Sequence, residues 1–375
     1  MEFRIESSAL TDAVIWASRL LPSRSASPVP AGLLLEAEDG RLRISGLDYE
    51  ASARTEVEAE VIRPGRALVL GRRLVDVGRV LPYGTVECAI EGARLSLTSG
   101  DALFGLSMLS LDDYPALPDM PEWIGEVDAE AFGEAVSQVS VAAGWDDALP
   151  TLTGLRLVLD GDTMTLAATD RYQFAVRTLP WRPRAEDVSA DVLLSARRLS
   201  EITSFFDRSG PCRLALDGGA AGFEQGGRRT TLRLLGGRLP RHDKLFAMTD
   251  PVRALVDCME LGDAVRRVGV IAEGNSPLRL TFSGGSVLLQ VGYEDDVASQ
   301  RLDAELIGAE EMTVAFSPEY LSSALSLLRT SVVRFDLMGP GQRAMVTGWE
   351  SREEALRQAS HPDHQHLVMS VKPLL

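Results

Sequence analysis

The chain has few of the features that mark a membrane protein, a secreted protein or a familiar enzyme. Its three cysteines, Cys88, Cys212 and Cys258, lie far apart in apolar surroundings. An odd number so placed reads as buried thiols rather than bridges or metal ligands. Lys244 and Lys372 are the only lysines, so arginine carries nearly all the positive charge. No apolar run reaches the 18 or more residues, roughly, that cross a bilayer, and the opening MEFRIESSAL has neither a basic nor a greasy segment. A cytoplasmic protein is expected.

Catalytic signatures are missing too. There is no G-x-S-x-G, no H-E-x-x-H, no G-x-x-x-x-G-K-[ST], and no G-x-G-x-x-G between a strand and a helix. The Gly-Gly pairs at 218, 226, 236 and 284 read as hairpin turns. His361, His364 and His366, with Asp363, form the only histidine cluster, in what reads as a polar loop without a Cys or Glu at ligand spacing. No metal, no cofactor and no catalytic group is therefore expected. Asp170 beside Arg171 reads as a loop ion pair.

What is present is repetition. GLLLEAEDGRLRISGLD starts at Gly32, GLRLVLDGDTMTLAATD at Gly154 and PLRLTFSGGSVLLQVGY at Pro277, spacings of 122 and 123 residues. Each alternates apolar and polar residues on both sides of a turn, the pattern of a half-buried antiparallel hairpin. Before each hairpin runs an amphipathic helix: Leu10, Ala13, Val14, Ala17; then Phe132, Ala135, Val136, Val139; then Leu261, Ala264, Val265, Val268. Asp128 and Asp257 read as N-caps of the last two. After each hairpin a short apolar strand meets a second helix, at Gly71, Ser195 and Ser317, spaced by 124 and 122 residues. A period this long is that of a whole domain, not of a solenoid. The fold predicted is α+β, three tandem copies of one domain in which two helices cover a sheet, with domains at 1–121, 122–250 and 251–375.

The net charge of −16 argues against nucleic acid, unless the basic residues are segregated. They are. Arg19, Arg24, Arg72, Arg73, Arg79, Arg197, Arg198, Arg266, Arg267 and Arg329 lie on or beside predicted helices, while acids collect in loops and strands. Each helix alone reads as the solvated face of an amphipathic helix; repeated across three domains, the pattern could line one continuous surface with positive charge.

Several segments carry a resemblance: LTG at 152–154, ATDRY at 168–172, GRRLVD at 71–76, DYPALP at 113–118, RVGVIAEGN at 267–275, AFSPEYL at 315–321 and Val368-Met369. They span the chain in order, and by them it resembles the bacterial sliding clamps, the beta subunits of DNA polymerase III. The resemblance implies a non-catalytic processivity factor. Two three-domain subunits would close head to tail into a ring around duplex DNA, helices lining the hole. Arg24, Arg72, Arg73, Arg79, Arg197 and Arg198 would touch DNA, and Phe104 and Leu106 would meet Gly269 and Val270 of the second copy. It also implies a pocket for short peptides from the polymerase III catalytic subunit, the clamp loader and repair proteins. The matching positions are Leu152, Thr169, Arg171, Tyr172, Gln173, Phe174, Pro240, Lys244, Leu245, Ser317, Tyr320, Leu367, Val368, Met369, Ser370, Val371 and Lys372.

Departures from the family's usual residues cluster at that pocket. Gln173-Phe174 stands where members usually have Arg-Leu, and LPRH at 239–242 where they have Phe-Pro-x-Tyr. MSVKPLL at 369–375 replaces an ending in Met-Pro-Val/Met-Arg-Leu, after a longer histidine-bearing loop over 350–365. Phe174 is expected to narrow the pocket, Ser370 to free the backbone a proline would hold, and Lys372 to give up a bidentate donor. Such a clamp could be a specialised copy that keeps its peptide partners and rejects a pocket-directed inhibitor. A clamp derivative that sequesters a small molecule without serving replication is a further alternative.

Overall fold

The computed structural model describes residues 1–22, 31–146, 148–241, 243–274, 276–293, 296–357 and 363–372. One order of elements occurs twice and recurs a third time with two changes: a single long strand takes the place of two, and a short helix precedes the last strand. The first run is β1 (Glu2–Glu6), α1 (Ser7–Ser18), β2 (Gly32–Glu38), β3 (Arg41–Leu47), β4 (Ala51–Glu58), β5 (Glu60–Arg63), β6 (Gly65–Leu70), α2 (Gly71–Gly78), β7 (Thr85–Glu91), β8 (Arg94–Ser99) and β9 (Ala102–Ser107). The second is β10 (Trp123–Asp128), α3 (Ala129–Ser140), β11 (Gly154–Asp160), β12 (Thr163–Thr169), β13 (Gln173–Pro180), β14 (Arg182–Pro183), β15 (Ser189–Ser195), α4 (Ala196–Thr203), β16 (Pro211–Leu216), β17 (Ala220–Gln225) and β18 (Arg228–Arg233), followed by a short α5 (Asp243–Phe246). The third is β19 (Val252–Asp257), α6 (Cys258–Gly269), β20 (Leu278–Ser283), β21 (Ser286–Tyr293), β22 (Asp296–Ile307), β23 (Glu311–Phe316), α7 (Pro318–Ser326), β24 (Val332–Leu337), β25 (Arg343–Trp349), α8 (Arg352–Arg357) and β26 (His364–Met369).

The helix faces read from spacing are the buried ones. Leu10, Ala13, Val14 and Ala17 of α1, Phe132, Ala135, Val136 and Val139 of α3, and Leu261, Ala264, Val265 and Val268 of α6 are all buried. Asp128 and Asp257 cap as expected, accepting from Ala131 N and Glu260 N at 2.9 Å. Asp257 thereby satisfies one of the amides that the first turn of α6 leaves without an intrahelical partner. Sequence periodicity missed the strand that precedes each first helix, β1, β10 and β19. Each is short and runs straight into the helix, so its period-2 signal merges with the helical one.

The chain divides into two compact units, Met1–Gly133 with Trp181–Val188 and Arg198–Leu234, and Glu134–Pro180 with Ser189–Arg197 and Leu235–Leu375. The first unit holds two antiparallel sheets, β5-β1-β7-β8-β9 and β14-β10-β16-β17-β18-β4-β3-β2-β6. The second holds one, β15-β11-β12-β13-β26-β25-β24-β19-β22-β21-β20-β23. Within each unit the final strand of one repeat pairs with a strand of the repeat before it. β18 lies on β4, with Arg228 opposite Thr55 and Leu232 opposite Ala51. β26 lies on β13, with Gln173 opposite Val368 and Arg177 opposite His364.

Three readings change. Gly236-Gly237 follows β18 and is not a hairpin turn, whereas the other three Gly-Gly pairs are. The segment taken for a polar loop carries α8 and the start of β26. His364 and His366 are buried strand residues; His361 lies outside the described residues. Among the described residues no cluster of metal-binding side chains forms. The cysteines are free and buried, as expected, and no described helix is long and apolar enough to cross a membrane.

Candidate functional site

The bend between β12 and β13 is built around one carboxylate. Asp170 Oδ1 accepts from Tyr172 N and Gln173 N, both at 2.9 Å. Thr169 Oγ1 donates to Gln173 O at 2.6 Å and accepts from Arg171 N at 3.1 Å. This turn puts Arg171 at φ +88°, a left-handed conformation that non-glycine residues rarely adopt. Asp170 is therefore a turn-forming acceptor for backbone amides rather than half of an ion pair with Arg171. The strain at Arg171 persists because four side-chain hydrogen bonds surround it.

Strand β26 and helix α7 close on this bend. Met369 N donates to Tyr172 O at 2.8 Å and Val371 N to Ala315 O at 2.7 Å. The rings of Tyr172 and Tyr320 stack at 6.2 Å between centroids and 20° between planes. Tyr320 also hydrogen-bonds to Asp170. Burial, followed by that carboxylate's charge and hydrogen bond, pushes its phenol up to about 12. Ser317 is the N-cap of α7 but makes no side-chain cap. From the other side, Arg343 Nη1 donates to Leu245 O at 2.9 Å, which ties α5 to β25.

The residues named from the resemblance sort into a floor and a rim. Thr169, Gln173, Phe174, Leu367, Val368 and Ser370 are buried. Tyr172 is 56% exposed, Val371 42% and Leu245 37%. Arg171, Pro240 and Lys372 are exposed; Leu152, Ser317, Tyr320 and Met369 are half-buried. Lys244 lies in α5. The carbonyl of Leu152 accepts from Gly144 N at 2.7 Å, which ties it to the turn after α3. Among the described residues no hydrogen bond or ring contact links Pro240 to the others. Sequence reasoning missed Phe246, Arg343, Gln342 and His366, which support the site from elements far away in the chain.

Two expected effects of the departures are corrected. Phe174 does not project into a cleft. It packs inward with Ala167, Val176, Met345 and Leu367 and meets Phe246 edge-on, at 5.6 Å and 86°. Ser370 does not loosen its strand. Its N–H donates to Gln342 O at 2.9 Å, and its Oγ accepts from Gln342 N at 2.9 Å and donates to Gln342 O at 2.7 Å. A proline there could make none of these bonds.

The arginines divide as well. Arg72 and Arg73 on α2, Arg79 at its C-cap, and Arg197 on α4 are exposed. Arg198 is engaged: its guanidinium binds Asp48, Glu50 and Glu201, and its side chain is only 18% exposed. Arg266 and Arg267 on α6 are exposed and share Asp263. Arg24 lies outside the described residues. At the proposed contact between copies, β9 is the last strand of its sheet, with Phe104 and Leu106 half-buried. Gly269 ends α6 and is half-buried, and Val270 is 81% exposed.

Comparison with known proteins agrees with this architecture. Residues 1–118, 126–241 and 245–357 match the N-terminal, central and C-terminal domains of the DNA polymerase III beta subunit. The chain is 42% identical to the beta sliding clamp of Streptomyces coelicolor and 36% identical to a beta sliding clamp homolog, GriR, of Streptomyces muensis, each over 99% of both chains. The DNA polymerase III subunit beta of Pseudomonas aeruginosa, including a form solved bound to griselimycin, superimposes with a TM-score of 0.90 at 22% identity over the whole of both chains. Three tandem domain matches and relatives aligned end to end make the chain a member of the DNA polymerase III beta subunit family, the bacterial sliding clamps.

Proposed function

We propose that this protein acts in the cytoplasm as a sliding clamp, with domains 1–121, 122–250 and 251–375. Two copies close into a ring around duplex DNA and tether the polymerase, clamp loader and repair proteins by short peptides. The observation that carries the ring is the pattern of strand pairing. β18 pairs with β4, and β26 with β13. The same rule applied once more calls for β9 on β22. Among the described residues, the outer edge of β9 carries no strand, and β22 from Asp296 to Asp303 pairs only with β21. A strand and an acceptor left over on the same chain favour a head-to-tail contact, which closes into a ring when the rotation allows. Phe104→Asp should give monomers by equilibrium sedimentation; an unchanged dimer removes this reading.

Exposed Arg72, Arg73, Arg79 and Arg197 support loose, sequence-independent contact with phosphates, on a protein whose net charge is −16. Arg198 is withdrawn from that set by its three carboxylates. Changing the four exposed arginines to alanine should lower the salt dependence of DNA association while leaving dimerisation intact. The peptide reading rests on the exposed Tyr172, Val371 and Leu245 around a rigid floor, because apolar anchors dominate such affinities.

A second reading concerns what the site excludes. Phe174 and Gln173, two of the departures, are both locked into the floor and alter its shape from beneath. A specialised clamp that still binds a polymerase peptide but resists a pocket-directed inhibitor fits that change. Griselimycin affinity equal to that of the Streptomyces coelicolor clamp would remove this idea. Failure to support processive synthesis with a clamp loader would instead favour a sequestering derivative.

A further inference from the structure

We propose that His366 is a positioning residue of the peptide site, acting through Gln173 to lock the bend that carries Arg171 and Tyr172. This inference rests on the peptide reading above.

Gln173 is 4% exposed and has three polar neighbours. Its Nε2 donates to Val141 O at 3.0 Å and to Asp170 Oδ2 at 3.1 Å, and its Oε1 lies 3.1 Å from His366 Nε2. A carbonyl and a carboxylate only accept, so the amide nitrogen must face them and the amide oxygen must face His366. His366 Nε2 therefore carries the proton. Its Nδ1 is the bare nitrogen, buried without a hydrogen-bond partner. The imidazole is fully buried, and among the described residues its one hydrogen bond is to Gln173.

The same strand thus grips the bend twice. Met369 N holds the carbonyl of Tyr172, and His366 holds the side chain of Gln173. Gln173 in turn fixes Asp170 through Oδ2, leaving Oδ1 for the two amides that shape the bend. Removing the His366 donor leaves Gln173 Oε1 buried and unsatisfied. Gln173 then gains by swinging outward, and Asp170 loses its anchor. The lip formed by Tyr172 on Tyr320 loosens as a result. The relay also keeps the side chain at position 173 out of the binding surface, so recognition there falls to Arg171 and the two tyrosines.

The test uses the full-length protein and a synthetic peptide copied from the C-terminal tail of the replicative polymerase of the same organism. His366→Leu should weaken peptide binding about tenfold, the scale of one buried hydrogen bond. His366→Gln can again donate to Gln173 and should restore affinity to within about twofold. Should His366→Leu fail to fold, Gln173→Met cuts the relay from the other side and should weaken binding to a similar extent. Nitrogen-15 spectra of the histidine ring should show the Nε2–H tautomer. Unchanged affinity in the variant that folds, a loss that His366→Gln does not restore, or the Nδ1–H tautomer overturns the proposal. No binding by the wild-type protein, or binding unaffected by Tyr172→Ala, overturns the peptide reading itself. That outcome is told apart because it appears with His366 intact.

Discussion

Two bends in this chain share one backbone device and differ in what they do with it. In the first, Asp48 Oδ1 accepts from Glu50 N at 2.8 Å and Ala51 N at 2.7 Å; in the second, Asp170 does the same for Tyr172 and Gln173. Each bend opens a strand that receives the last strand of the following repeat. Each is also met by the third residue of that repeat's second helix. Arg198 of α4 clamps Asp48 and Glu50, whereas Tyr320 of α7 stacks on Tyr172 and bonds to Asp170. The first junction is a charged brace, with Asp48 only 6% exposed. The second is an aromatic lip beside exposed Val371 and Leu245. The second junction, where neutral rings stand in place of the salt bridges, is the one proposed to bind peptides, since an apolar ligand has no anchor on a surface spent on ion pairs.

The largest effect should come from breaking the brace. Arg198→Ala leaves Asp48 beneath the surface without its cation, and loss of one partner of a mostly buried pair costs about 3 kcal/mol. Chemical denaturation should show that loss, with peptide affinity unchanged. An unaltered midpoint would mean the brace contributes nothing. Next comes the lip. Tyr172→Ala should weaken peptide binding by about 2 kcal/mol, roughly thirtyfold, as for a central aromatic anchor. Tyr49, 83% exposed on the first bend, is the matched control, and Tyr49→Ala should leave peptide affinity where it was. Equal losses at both tyrosines would erase the distinction between the junctions.

Much of this frame was legible in the chain itself. Apolar spacing in α1, α3 and α6 located the buried faces, because burial on one side of a helix forces that period. Three hairpins in constant phase exposed the repeat. The contents of the site were harder to read. Gln173 and His366 are 193 residues apart, and no local pattern says that two such residues will share a hydrogen bond. The histidines looked like loop residues because polar Asp363 and Gln365 flank them, yet in β26 alternate side chains face opposite sides, and His364 and His366 both turn inward. Arg198 looked like one more helix-borne cation, since its partners Asp48 and Glu50 lie about 150 residues upstream. Local chemistry was readable where the constraint was local.

The smallest effect per step, and the one that separates the junctions most cleanly, is the response to acid. Across β4 and β18 the buried polar contact is Ser52 to Thr231, 2.6 Å apart, which has no proton to gain in this range. Across β13 and β26 stand two buried imidazoles. Burial pushes His364 down to about 4, with the nearby Arg177 charge adding to it. Burial pushes His366 down to about 3, with His364 adding to it. An unfolded histidine titrates near 6.5, roughly. Above that pH both states are neutral and the stability is complete. Below it the unfolded chain takes up protons that the folded chain refuses, so stability falls with pH until the folded values are passed. Each histidine should cost about 1.4 kcal/mol per pH unit in that window. Hydrogen exchange between pH 6.5 and 4.5 should therefore show β13 and β26 losing protection before β4 and β18, and His364→Gln with His366→Gln should flatten the difference. Equal loss at both junctions would mean that acid acts on the chain as a whole and that the buried histidines do not set where it yields first.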